Sequence, residues 1–140
     1  RRLRPDMFAP VEPNWGVNHR IVSVRIPESD EKNLRLEHRT AGADANPYLV
    51  MAAVVAGVHY GMKNRIDPGP MVEQGAEIVP KLSIPIRWEA AIDKFRRSKV
   101  LPEYLGKDYC KYYALVRRFE AEQYHNQIAQ LDYDWYLRAV

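Results

Sequence analysis

Residues Asn33 to Leu49 read NLRLEHRTAGADANPYL, a run that sets Arg35, Glu37 and Arg39 at strand spacing and then opens a helix. Side chains on a strand alternate faces, so these three line one face at roughly 7 Å intervals while Leu34, Leu36 and His38 point the other way. A carboxylate between two guanidiniums has two readings. It is a solvated ion-pair ladder, worth ~0–1 kcal/mol per pair, or a face built to meet a metal and phosphates. The pattern alone leaves both open. After the loop, Asn46 is a favourable N-cap and Pro47 suits the first helical position, so a helix is expected from Pro47 to about Asn64. It is apolar around most of its circumference and reads as a buried core helix, with His59 inside and Gly57 and Gly61 spaced for close packing against a neighbour.

Upstream, Pro5, Pro10 and Pro13 break any helix or central strand, so residues 1–16 read as loop or flap with at most short edge pairing. His19 to Pro27 is rich in β-branched residues and reads as a strand, and Glu28 to Asn33 is a connector short enough for a hairpin to a second strand at Leu34 to Arg39. Downstream, Ile66 to Pro85 is loop, punctuated by proline and glycine. Trp88, Ile92 and Phe95 recur at helical spacing, and a further helix is expected over about Lys107 to Leu131, burying Tyr109, Tyr112, Val116, Phe119 and Gln123. Trp135 and Tyr136 are expected to pack back on the domain or on a neighbouring subunit. The fold class is therefore α+β: two short antiparallel strands, then a helical C-terminal region. Residues 1–46 form the flap and strand region and residues 47–140 are mainly helical, all within one piece of a domain.

With 140 residues, 46% hydrophobic and 28% charged, the composition is that of an ordinary globular chain. Lysine and arginine number 21 against 18 acids, which raises a nucleic-acid-binding alternative supported by the pairs Arg1-Arg2, Arg96-Arg97 and Arg117-Arg118 with aromatics nearby. The acids are interspersed, however, and no basic stripe emerges. The longest apolar run, Tyr48 to Val58, is shorter than the ~20 residues that span a bilayer, so no membrane insertion is expected. Cys110 stands alone and fits a reducing, cytoplasmic setting, as a packed thiol and not a nucleophile. The four histidines show no HExxH spacing, and His38 and His59 read as core residues.

Four segments in order, RRLRPDMFAP from Arg1, NWGVNHRIVSVRIP from Asn14, the Arg35-x-Glu37-x-Arg39 strand and AGADANPYL from Ala41, resemble the C-terminal part of the catalytic domain of the glutamine synthetase family. The resemblance implies an ATP-dependent ligase that phosphorylates the γ-carboxylate of glutamate and lets an amine attack the γ-glutamyl phosphate, with Mg²⁺ or Mn²⁺ as cofactor. By the same resemblance, Glu37 would ligate the metal near the nucleotide phosphates. Arg39 would face the γ-carboxyl and the transferring phosphoryl group. Arg20 and Arg25 would face phosphate, Arg35 would lie on the nucleotide side, and Arg2 would contact glutamate. A spacing of five puts Arg20 and Arg25 on opposite faces of a regular strand, so a bulge or strand end is needed if both reach phosphate.

The sequence departs from the ammonia-using pattern at Phe8. Where that flap reads Gly-x-Glu-Ala-Pro, this chain has Asp6-Met7-Phe8-Ala9-Pro10, with an apolar ring in place of the ammonium-attracting carboxylate. An aliphatic amine suits Phe8, Met7 and Trp15 better than ammonium does. The pattern is similar to the branch of the family that joins glutamate to polyamines such as putrescine. An ammonia-using glutamine synthetase and a catalytically silent member stay open as alternatives. The start at Arg1, inside a motif, reads as a fragment that is inactive without the preceding part of the enzyme, and the family implies assembly into rings.

Overall fold

The computed structural model describes residues 3, 4, 8–76 and 83–137, divided between two compact units, Arg1–Arg87 and Trp88–Val140. In the first unit, β1 (Trp15–Val17), β2 (Val24–Ile26) and β3 (Glu37–His38) form a sheet in that order. β2 and β3 are antiparallel, as the hairpin reading requires, but β1 adds a third strand that lies parallel to β2. The α+β class holds; the pair of strands becomes three.

The strand expected over His19 to Pro27 contracts to its last part because the chain from Asn18 to Ser23 turns back on itself. Asn18 is left-handed (φ 53°), Val22 is fully buried, and Asn14 captures the returning chain by accepting from Ser23 N through Oδ1 (2.9 Å) and from Val24 N through its carbonyl (3.0 Å). A parallel connection ordinarily takes a dozen or more residues. Here residues 18–23 suffice because both ends of the turn are pinned by Asn side chains.

Gly16 lets another segment approach β1 closely: a Cβ there would lie 2.5 Å from the Val72 carbonyl oxygen. Val72 N donates to Trp15 O (2.9 Å) and the Trp15 indole donates to Gly69 O (3.0 Å), tying the 69–72 loop to the sheet. The small core around this sheet includes Ala9, Val11 and Val22. A 3₁₀ turn, Glu31–Asn33, capped by Asp30, makes the connector between β2 and β3.

α1 (Pro47–Lys63) starts where the cap predicts, with Asn46 Oδ1 accepting from Tyr48 N (3.0 Å) and Leu49 N (3.3 Å). Its expected burial is not found: Ala56 alone is buried, and Tyr48, Met51, Val55, Val58 and Met62 are exposed. A Cβ at Gly57 or Gly61 would meet nothing within 4 Å, so no packing function for either glycine shows among the described residues. His38 and His59 are likewise exposed, and the buried histidine is His19. Apolar periodicity reports what a helix needs to cover, and among the described residues of its own unit α1 stays largely uncovered.

The second unit contains α2 (Trp88–Arg96), α3 (Leu101–Leu105), α4 (Lys107–His125) and α5 (Gln130–Tyr136). The Trp88/Ile92/Phe95 face of α2 packs on α4, through Phe95 against Tyr113 (centroids 5.2 Å apart) and Trp88 against Tyr124 (6.0 Å). The buried face of α4 is Cys110, Ala114 and Ala121, not the expected aromatic stripe; Tyr112 and Phe119 are each 61% exposed. Small side chains let the two helices approach, and the tyrosines flank the contact. The expected single helix to Leu131 ends at His125 and resumes at α5, while Gly106 (φ 85°) separates α3 from α4. Trp135 and Tyr136 are exposed, so neither packs back on this unit.

Candidate active site

The β2–β3 register decides which charged groups meet. Arg25 lies opposite Glu37 and Val24 opposite His38, and the next rung is Arg39 N donating to Ser23 O (2.9 Å). Strand alternation therefore puts Ser23 and Arg25 on one face with Glu37 and Arg39. Arg25 Nη1 donates to Glu37 Oε2 at 2.9 Å, and Arg35 Nη2 stands 3.8 Å from Glu37 Oε1. Arg25 and Glu37 are partly covered, with side chains 23% and 35% exposed, while Arg35 is more open. A pair so placed contributes on the order of 1 kcal/mol to stability, too little to explain the cluster as a structural necessity.

The cluster has donors to spare. Among the described residues, Arg25 Nε, Arg39 Nη1 and His19 Nε2 are buried atoms without a hydrogen-bond partner. His19 is 4% exposed, and its Nδ1 accepts from Ile21 N (3.3 Å), which makes Nε2 the protonated nitrogen of a neutral ring. Unfilled donors on and beside a cationic sheet face are what an anion would satisfy. On the other side of β3, partial burial holds the His38 imidazole below its ordinary value of 6.5.

The structure thus brings together Arg25, Arg35 and Glu37 and sets Arg39 on their face. Arg20 lies in the turn between β1 and β2, outside either strand, so its spacing from Arg25 is not governed by strand parity and no bulge is required. It is exposed, as is Phe8 at 85%, and among the described residues no hydrogen bond or ion pair joins either to the cluster. Arg2 and Met7 lie outside the described residues. Sequence reading passed over Asn14, Asn18, His19 and Ser23, which build the turn. The available signal was Asn18 itself, since asparagine next to a β-branched run marks a left-handed turn position.

A divalent cation such as Mg²⁺ takes about six oxygen ligands. Among the described residues no three His, Cys, Asp or Glu side chains gather, so they form no metal centre by themselves. Glu37 Oε1, with Arg35 Nη2 at 3.8 Å, is chemically suited to be one such ligand. The basic pair Arg117-Arg118 is neutralised along its own helix, by Glu120 (2.7 Å) and Glu122 (3.1 Å), which weakens a nucleic-acid reading. No helix among the described residues is long and apolar enough to cross a membrane.

Known proteins are similar to this sequence. Residues 1–136 match the family described as glutamine synthetase, catalytic domain. γ-Glutamylputrescine synthetase PuuA of Escherichia coli is 39% identical over 138 residues, covering 99% of this chain and 29% of the relative. Type-1 glutamine synthetase 2 of Dictyostelium discoideum is 29% identical over 145 residues, covering 100% and 28%. Glutamate–isopropylamine ligase of a Pseudomonas species is 31% identical over 130 residues, covering 91% and 28%. The chain spans less than a third of the length of these relatives. A match that extends over nearly all of its residues makes this chain a member of the glutamine synthetase family.

Proposed function

We propose that this chain is the C-terminal part of the catalytic domain of an ATP-dependent ligase that joins the γ-carboxyl of glutamate to a primary amine. The observation that carries the reading is the Arg25–Glu37–Arg35 cluster on one sheet face with Arg39, in a member of this family. In the proposed reaction an oxygen of the γ-carboxylate takes the terminal phosphoryl group of ATP and ADP leaves, then the amine nitrogen bonds to the carbon of that carboxyl group, loses a proton, and phosphate leaves. Charge accumulates on phosphoryl oxygens, and fixed guanidiniums stabilise it. Arg20, Arg25 and Arg35 serve the nucleotide phosphates, Arg39 the γ-carboxyl and transferring group, and Arg2 the bound glutamate. Glu37 would supply one ligand to Mg²⁺ or Mn²⁺, which would offset negative charge on the phosphates; further ligands would come from the rest of the enzyme. The exposed aromatic faces of α4 and α5 suit oligomeric assembly.

The amine is proposed to be putrescine or a similar polyamine. The 39% identity to γ-glutamylputrescine synthetase and the exposed apolar ring of Phe8 support this choice. Ammonia is the second reading, favoured by the alignment of the whole chain with a type-1 glutamine synthetase. The test measures γ-glutamyl product from glutamate and ATP with ammonium, putrescine and a monoamine at equal concentration, using the full-length enzyme. Putrescine should win, because each buried methylene contributes ~0.8 kcal/mol that ammonium cannot gain. Phe8→Glu should reduce putrescine use by placing a desolvated charge beside the alkyl chain. Preference for ammonium by the unmodified enzyme overturns the polyamine assignment, and absence of product with every amine overturns the ligase.

A further inference from the structure

Arg25 is gripped at two points. Its Nη1 donates to Glu37 Oε2 at 2.9 Å and its Nη2 donates to Asn18 Oδ1 at 3.4 Å. Asn18 holds the left-handed conformation at φ 53°, which asparagine tolerates better than most residues. Its amide orientation is dictated by its neighbours. Oδ1 also accepts from Glu28 N (3.0 Å), while Nδ2 donates to Glu28 Oε2 (2.8 Å), so the oxygen faces donors and the nitrogen faces a carboxylate.

The consequence falls on Glu37. An arginine beside a carboxylate commonly closes a two-pronged fork, using both carboxylate oxygens. Here Nη2 is turned to Asn18, and the pair with Glu37 has one prong. Glu37 Oε1 is left with Arg35 Nη2 at 3.8 Å, beyond hydrogen-bond range, on a side chain about a third exposed. We infer that Asn18 is a positioning residue: by holding Nη2 of Arg25 it prevents the fork and keeps Glu37 Oε1 open as a ligand oxygen for a divalent cation. This rests on the proposed function, in which Glu37 meets the metal.

The experiment titrates the full-length enzyme with Mn²⁺ and follows free Mn²⁺ by electron paramagnetic resonance, so that the readout does not depend on turnover. Asn18→Gly keeps the left-handed backbone and removes the acceptor. Released Nη2 then closes on Oε1, and Mn²⁺ affinity should fall about ten-fold, the order of one charge-assisted hydrogen bond. Asn18→Asp combined with Glu28→Gln keeps an acceptor for Nη2 and a donor opposite the second oxygen, and should bind close to the unmodified enzyme, which also serves should the glycine variant not fold. In an Arg25→Lys background no fork can form, so Asn18→Gly should add nothing.

Unchanged Mn²⁺ affinity in Asn18→Gly overturns the inference. So does an equal loss in the Arg25→Lys background, which would mark general damage to the turn, and so does a loss in the Asn18→Asp, Glu28→Gln variant as large as that expected of glycine. Glu37→Gln separates the two levels of the argument. If it leaves Mn²⁺ binding intact, the metal role of Glu37 falls; if it weakens binding while Asn18→Gly does not, the role of Asn18 alone falls.

Discussion

Replacing Gly16 by alanine tests whether the 69–72 loop rests on β1 as closely as described. The new Cβ would lie 2.5 Å from Val72 O, 3.2 Å from His19 Cβ and 3.6 Å from Val22 Cγ1. Carbon–oxygen contacts settle at about 3.3 Å or more, so the Val72 carbonyl must retreat by ~0.8 Å. The retreat strains the bonds from Val72 N to Trp15 O (2.9 Å) and from the Trp15 indole to Gly69 O (3.0 Å). Overpacking of this kind costs ~1–3 kcal/mol and a weakened hydrogen bond ~1 kcal/mol. Alanine recovers ~0.4–1 kcal/mol by restricting the unfolded chain. The net is a loss of ~2 kcal/mol, read as a lower urea midpoint with unchanged slope. Fluorescence should report it, because Trp15 is directly tied to the displaced loop. A change under ~0.5 kcal/mol, the range of an ordinary surface substitution, refutes the close approach.

In the full-length enzyme, Glu37→Gln retains shape and removes charge, and metal-dependent turnover should fall ~10²-fold or more; Arg39→Lys should also be damaging, since a point charge does not replace a planar fork. Near-normal turnover in both variants returns the strand to an ion-pair ladder. His38 should titrate below 6.5 because burial disfavours its charged form. Its contribution to stability is full above the unfolded value and fades as pH falls through the lower folded midpoint. Imidazole nitrogen shifts followed by NMR check this, and a midpoint at or above 6.5 contradicts it.

Local chemistry was readable from the residues, and pairing at a distance was not. Asn46-Pro47 announced α1 because a cap needs only its own side chain and the next three amides. Trp88, Ile92 and Phe95 announced the packed face of α2 because one stripe was apolar and the other charged. α4 carries tyrosines around much of its circumference, so periodicity offered two adjacent stripes, and the smaller Cys110/Ala114/Ala121 stripe was the buried one. β1 was missed because Trp15–Val17 is short and its partner is recruited through Asn14, a contact that no alternation in hydrophobicity records. At the site, Arg35, Glu37 and Arg39 showed their shared face in the sequence. That Arg25 would meet Glu37 needed the register, and the part of Asn18 needed coordinates.

The short crossover between β1 and β2 also sets how much chain each tie must close. The bonds that shape the cationic face join residues 9 apart, Asn14 to Ser23, and 12 apart, Arg25 to Glu37, whereas the Trp15–Gly69 tie spans 54. Closing the longer loop costs ~1.6 kcal/mol more chain entropy than closing the shortest, by the (3/2)RT ln n scaling. The ties within Asn14 to Arg39 are therefore the ones that cost the chain least to close, and the Trp15–Gly69 tie must be held against a larger entropic cost.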